Sequence, residues 1–397
     1  MTGPIEDGLR KGRGALSNPA GRFETKHRQA FDDGWPADEE LPSIETTVTA
    51  EPARSIISRN DSPDLGFTQS INPYAGCETG CIYCFARPSH AYRNLSPGLD
   101  FETRLFYKPN AAELLDQELR KPGYECRSIT LGANTDPYQP IEKKLGITRS
   151  LLEVGLKFRQ PMFIVTKGAA VLARDIELLA EMAKSRLVGV AVSITSLSDD
   201  IKRTLEPRAA SPAARLKLVR WLSEAGVPVM VMVAPVIPFV TDHEMERILE
   251  ASRDAGALAA GYVMLRLPWE VKDLFEQWLR AHFPQKADHV MSLMRQLHGG
   301  DPAHRAAEPA PVEAEDESHE GVLDIPARQP GQFKRNEYYS AEFSVRQRGQ
   351  GPLAQMFEQR FRLATRRLGL TRSRQLTLDT SQFRLPPVAG DQLGMDF

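Results

Sequence analysis

The chain has 397 residues, 41% of them apolar and 26% charged, with a formal net charge of −2. That length can bury a sizeable core and leaves room for extensions around one catalytic domain, while the balanced charge excludes a global pull toward nucleic acid or anionic membrane, so any such attraction must come from a local patch. No run approaches the roughly 18–20 apolar residues of a membrane span, and the opening MTGPIEDGLRKGRGALSNPAGRF lacks the apolar stretch of a secretory signal; a cytoplasmic location is expected.

Residues 1–44 are rich in Gly, Pro, Arg, Lys and Asp without a sustained apolar period, and they are expected to be mostly disordered. From about Glu45 the pattern tightens toward Ile71, just before a cluster of cysteines. Short β-branched runs then recur: SITLG (128–132), MFIVT (162–166), LVGVAVSI (187–194), VPVMVMV (227–233) and AGYVMLRL (260–267). Apolar-periodic segments at 146–159, 170–184, 212–225 and 242–255 separate them, the third with Leu216, Val219 and Leu222 on one face and Gly226 as its stop signal. Nearly continuous apolar strands joined by helices predict a parallel sheet covered on both faces. With FTQSIN ahead of the cysteines there are about six β/α units. That is too few for an eight-fold barrel and suits an α/β fold of the partial (β/α)6 TIM-like kind, spanning 45–298. In such folds reactive groups gather at the C-terminal ends of the strands.

After Gly299 the Ala/Pro/acid-rich stretch to about 330 reads as a flexible linker. Residues 331–397 form a basic extension with an amphipathic helix at 353–369, on which Met356, Phe357, Phe361, Ala364 and Leu368 share one face. Its cations, Lys334, Arg335, Arg346, Arg348, Arg360, Arg362, Arg366, Arg367, Arg372 and Arg374, lie among Tyr338, Tyr339 and Phe343. Such a surface could neutralise phosphates and stack bases, making nucleic acid a candidate partner. The simpler alternative is a helix that closes the barrel with its arginines solvated.

Four cysteines occur, and three fall within eight residues as C-x3-C-x2-C in NPYAGCETGCIYCFAR. Clustered thiols in a long chain suggest metal chemistry rather than a disulfide scaffold. Cys77, Cys81 and Cys84 could place three thiolates around an iron–sulfur cuboid and leave one iron open. The same three with His90 could instead hold zinc in a Cys3His site, giving a non-catalytic zinc- or iron–sulfur-binding scaffold or sensor.

The cysteine spacing, with Tyr83 before the last thiol, resembles the radical S-adenosylmethionine (SAM) signature. NPYAGCETGCIYCFARPSHAY, LGANTDPYQPIE, IVTKG, SITS, LEPRAASPAARL and VMVAPVIP together resemble the spore photolyase-like branch, and within it uncharacterised bacterial members. The resemblance implies a [4Fe–4S] cluster that binds SAM at its open iron. It further implies reductive cleavage of SAM to a 5′-deoxyadenosyl radical that abstracts hydrogen from a substrate, and an electron donor such as flavodoxin or ferredoxin. It assigns cofactor contacts to Gly132, Asn134, Thr135 and Asp136, with a turn capped by Pro137 as the alternative. Lys167 would meet the SAM carboxylate, and Ser193 and Ser196 the carboxylate or ribose. Arg208 would clamp a carboxylate or phosphate, or else pair with Glu206. Ala234 would wall the adenine, with Tyr83 or Phe85 on its other side. Spore photolyases return hydrogen from a cysteine after the second strand, yet LGANTDPY contains none. Cys126 precedes that strand and is expected at the opposite barrel end as a structural thiol. It and Tyr138 are the weak candidates for a hydrogen donor.

Overall fold

The computed structural model describes residues 9–24, 44–299, 337–343, 345–372 and 376–387. Six parallel strands lie side by side in chain order: β1 (Gln69–Ile71), β2 (Ile129–Leu131), β3 (Met162–Thr166), β4 (Val188–Ser193), β5 (Val229–Val236) and β6 (Ala259–Met264). All six predicted runs form strands. Among the described residues the sheet does not close. Ser58–Arg59 pairs antiparallel with β1 at one edge, and Thr371–Arg372 pairs parallel with β6 at the other.

Period-two alternation divides the strand side chains between two cores. Ile164, Val190, Val192, Val229 and Val231 join the main core with the helices, whereas Ala191, Met230 and Ala259 form a separate buried cluster with Phe163, Val165 and Met232. The helix Pro212–Glu224 shows how the covering layer is specified. Ser211 accepts a hydrogen bond from the Ala214 amide, Pro212 occupies the first turn, and Gly226 takes a left-handed φ of 76° beyond the end. Its buried face is Arg215, Leu218, Val219 and Leu222, rotated from the predicted one so that Leu216 is only half-buried.

Two expectations change at the chain ends. The predicted disorder of residues 1–44 does not hold over 9–24, which pack onto the core. The Gly14 and Ala15 amides donate to Glu102 at 3.0 and 2.9 Å, and Ser17 donates to Gln277. The amphipathic helix runs Gly351–Leu368 and buries Ala354, Phe357, Phe361, Ala364 and Leu368, but Met356 is exposed. The linker at 300–330 lies outside the described residues. Beyond the helix, residues 376–387 cross the N-terminal ends of the strands. Leu376 packs against the inner cluster, the Asp379 and Arg384 amides donate to Arg186 and Phe158 carbonyls, and Phe383 meets Phe158 and Tyr124. The extension therefore both flanks and plugs the barrel.

Candidate functional site at the C-terminal barrel end

The chain leaves β1 into Tyr74–Ala75, which pairs with Arg104–Tyr107, and this short ladder delivers the cysteine loop to the C-terminal end of the barrel. Cys77, Cys81 and Cys84 are free thiols, the first two buried and the third half-buried. The Thr79 hydroxyl lies 2.9 Å from Cys77 Sγ and 3.6 Å from Cys81 Sγ. Burial pushes the Cys77 thiol up, and it raises Cys81 to about 11 although Lys167 pulls the other way. Any metal must therefore displace protons from these sulfurs.

The donor set suits a cluster better than a single ion. His90, the fourth ligand of the zinc alternative, places Nε2 2.9 Å from the Arg104 carbonyl and packs its ring on Phe101. Among the described residues, no three Cys, His, Asp or Glu side chains converge to hold one metal ion. Zinc needs ligand atoms within about 2.3 Å of one point, whereas a cuboid spreads three thiolates across its corners.

Three buried side chains hold the loop. Arg87 donates to the Cys81, Pro97 and Gly98 carbonyls and pairs with Glu102. Gln139 accepts from the Glu78 amide at 2.8 Å and donates to the Gly76 carbonyl. Glu206 accepts from the Tyr83 hydroxyl, from Thr195 at 2.7 Å and from Arg215. Burial alone would raise the Glu206 carboxyl, but Arg215 and then Lys167 hold it near 2. The predicted Glu206–Arg208 pair is not formed. Glu206 takes Arg215, and Arg208 meets Glu78 at 2.7 Å on the rim of a roughly 370 Å³ cavity that Lys143 and Lys144 also line.

The other predicted contacts divide into those facing the loop and those committed elsewhere. Lys167 sits 5.7 Å from the Tyr83 ring centroid; burial disfavours its charge, but Cys81 and Glu206 outweigh that and raise its pKa. Asp136 accepts from Thr166 Oγ1 at 2.6 Å and from the Lys167 amide at 2.7 Å, so it shapes the turn that presents Lys167. Gly132 has φ 94°, and a Cβ there would lie 2.3 Å from the Val165 carbonyl. The Asn134 amide donates to Asn72, and the Thr135 hydroxyl to the Tyr74 carbonyl. Ser193 gives its carbonyl to Arg215, and Ala234 gives its own to Thr195.

Four of the assigned side chains have partners within the fold. Ser196 is spent on Glu244 and on the Ser198 amide, in a local turn. Tyr83 is tied by its hydroxyl to Glu206. Tyr138 is 1% exposed and donates to Asp175. Cys126 is half-buried before β2, 3.5 Å from Gln160.

Sequence reasoning missed Arg215, Gln139 and Thr195. Arg215 carried a signal, since it is a charge on the apolar face shared by Leu218, Val219 and Leu222. The same reasoning named Phe85 only as an adenine contact and Tyr339 only in the basic extension, and it did not single out Trp269, Phe23 or Tyr92, which join them in a track of aromatics. Phe85, next to Cys84, lies under the Arg266 guanidinium at 4.1 Å. Trp269 is 47% exposed on a left-handed backbone, φ 46°, with Tyr339 at 6.0 Å and Arg22 stacked at 4.4 Å. Arg22 also reaches Phe23 and Tyr92, both exposed.

Comparison with known proteins accords with this geometry. A family model described as the radical SAM superfamily matches residues 71–251, from β1 through β5. An uncharacterised protein of Mycobacterium tuberculosis is 35% identical over 243 residues, covering 61% of this chain and 71% of that protein. Another, from Methanocaldococcus jannaschii, is 28% identical over 174 residues, covering 44% and 62%. The solved structure of a spore photoproduct lyase variant aligns with a TM-score of 0.51 at 13% identity, over 90% of this chain and 89% of that one, and so shares the fold. The chain belongs to the radical SAM superfamily. It is an enzyme of that class, whose cofactors are SAM and a [4Fe–4S] cluster. No helix among the described residues is long and apolar enough to cross a membrane.

Proposed function

We propose that Cys77, Cys81 and Cys84 hold the cluster, that Lys167 binds the SAM carboxylate, and that the substrate is a nucleic-acid strand with unstacked bases. When bound, the cluster and SAM supply a 5′-deoxyadenosyl radical for hydrogen abstraction. The chain's own part is to present three thiols on one loop, to set an ammonium beside them and to keep Glu206 neutralised by Arg215. Lys167, whose charged form Cys81 and Glu206 favour, then offers its ammonium to an incoming carboxylate.

The substrate reading rests on one observation, the aromatic track that starts beside Cys84. Exposed rings alternating with arginines offer faces for bases and cations for phosphates. A non-glycine residue held at positive φ, as Trp269 is, costs about 1 kcal/mol or more and is kept where the presented side chain is used. The C-terminal helix supports the reading less well: Arg346 pairs with Asp64, and Arg360 with Glu246. Arg362, Arg366 and Arg367 remain exposed there.

Anaerobic reconstitution should load about four irons and four sulfides per chain. Reduction with SAM should release 5′-deoxyadenosine, and Cys84→Ala should abolish it. A fluorescent single-stranded oligonucleotide should bind in a salt-sensitive way. Trp269→Ala should weaken that binding about tenfold, and neutralising Arg362, Arg366 and Arg367 should weaken it less. Binding indifferent to Trp269 and Phe85 would refute the substrate assignment while leaving the cluster chemistry intact.

A further inference from the structure

Among the supports of the cysteine loop, the short segment Leu205–Arg208 makes both backbone and side-chain bonds to it. The Ile82 amide donates to the Leu205 carbonyl at 3.1 Å, and the Arg208 amide donates to the Thr79 carbonyl at 3.1 Å. The Arg208 side chain meets Glu78, and the Tyr83 hydroxyl donates to Glu206. These contacts take in loop positions 78, 79, 82 and 83, between and beside the three thiols. Glu206 is 2% exposed, and its fixed partners Arg215 and Thr195 come from the helix Pro212–Glu224 and the β4 end, two rigid elements of the barrel.

We propose that Leu205–Arg208 is the template that sets the conformation of the cysteine loop, and that Glu206 is its positioning residue, acting on the cluster through Tyr83. The inference rests on the reading that Cys77, Cys81 and Cys84 hold the cluster. A buried carboxylate with one fixed guanidinium on Oε2 shares its Oε1 between one threonine and one phenol. That bond is directional and dry, so it is strong, and it fixes the residue immediately before Cys84. Without it the Cys84 end of the loop is free to adopt a second arrangement, and the thiolates no longer share one spacing.

The test uses the full chain, reconstituted anaerobically, as wild type, Tyr83→Phe and Glu206→Gln. Tyr83→Phe keeps the ring and its packing and removes only the hydroxyl, so it remains informative if Glu206→Gln fails to fold. Its readouts are iron and sulfide content, the electron paramagnetic resonance spectrum of the reduced cluster without SAM, and the rate of iron transfer to a chelator. Wild type should give one species. Tyr83→Phe should load iron but show a second or broadened species, with iron release about tenfold faster, the effect of one lost charge-assisted hydrogen bond. An unchanged spectrum and release rate in Tyr83→Phe overturns the inference, even if the apoprotein melts lower. A wild-type protein that binds no iron and sulfide overturns the cluster reading and this inference with it.

Discussion

The two ends of the barrel are built by opposite means. At the C-terminal end the contacts are polar, buried and paired: Arg87 with Glu102, Arg215 with Glu206, and Gln139 across the loop backbone. At the N-terminal end the tail closes the barrel with Leu376, Phe383 and a few backbone bonds, and in its ion pair with Asp379 the Arg186 guanidinium is largely open to water. Buried ion pairs stabilise little relative to apolar packing, but they are direction-specific and costly to half-remove. Side chains of that kind sit where geometry must be exact for chemistry. Where the task is only to keep water out, apolar contact suffices.

That contrast is most sharply tested by unpairing one of the buried charges. Arg215→Ala should destabilise the apoprotein by roughly 3–5 kcal/mol in urea unfolding, because Glu206 is left charged without its partner. The double variant Arg215→Leu, Glu206→Leu should recover much of that loss. A loss below 1 kcal/mol for the single variant would mean that the cysteine end is no more exacting than the other.

Acid should find the same end. Burial, opposed by the bond to the Arg104 carbonyl, lowers the His90 pKa to about 4 from an ordinary value near 6.5. Between those values the unfolded chain binds a proton that the folded chain refuses. The contribution is therefore intact above pH 6.5 and is lost progressively as pH falls toward 4. Unfolding at pH 7 and pH 5 should differ by about 2 kcal/mol from this residue, and His90→Gln should flatten that dependence.

Smaller effects belong to the plug and the rim. Phe383→Ala should cost about 1–2 kcal/mol for a half-buried ring and leave reconstituted iron content unchanged; a fall in iron content would couple the two ends. Arg208→Ala breaks a pair with a half-exposed guanidinium and should cost under about 1 kcal/mol in urea unfolding.

Much of this was legible before any coordinates. The six strands announce themselves because each is short, β-branched and followed by a helix-period segment, and such local patterns survive into the fold. The metal-type loop is equally local. Arg215, Gln139 and Glu206 were harder to read because their partners lie 9 to 123 residues away in the chain and no period links them. Ser196 and Tyr138 show the complementary difficulty. Their residue types suit a cofactor site, but a buried hydroxyl takes the nearest acceptor, and Glu244 and Asp175 were closer. The order at residues 9–24 was hidden because glycine-rich composition describes backbone freedom and says nothing of a groove shaped to receive it.

That N-terminal strap has a practical consequence. Gly14 passes so close to the loop that a Cβ there would sit 1.9 Å from the Gly80 carbonyl. Its amide and that of Ala15 complete the coordination of Glu102, the carboxylate that anchors Arg87 behind Cys81. The segment matched by the family model, 71–251, omits Gly14 and Ala15. A fragment cut to those bounds would retain every thiol and still lack the lid of its own metal loop. Expression trials should therefore keep the first two dozen residues and carry any affinity tag where it cannot tug on them.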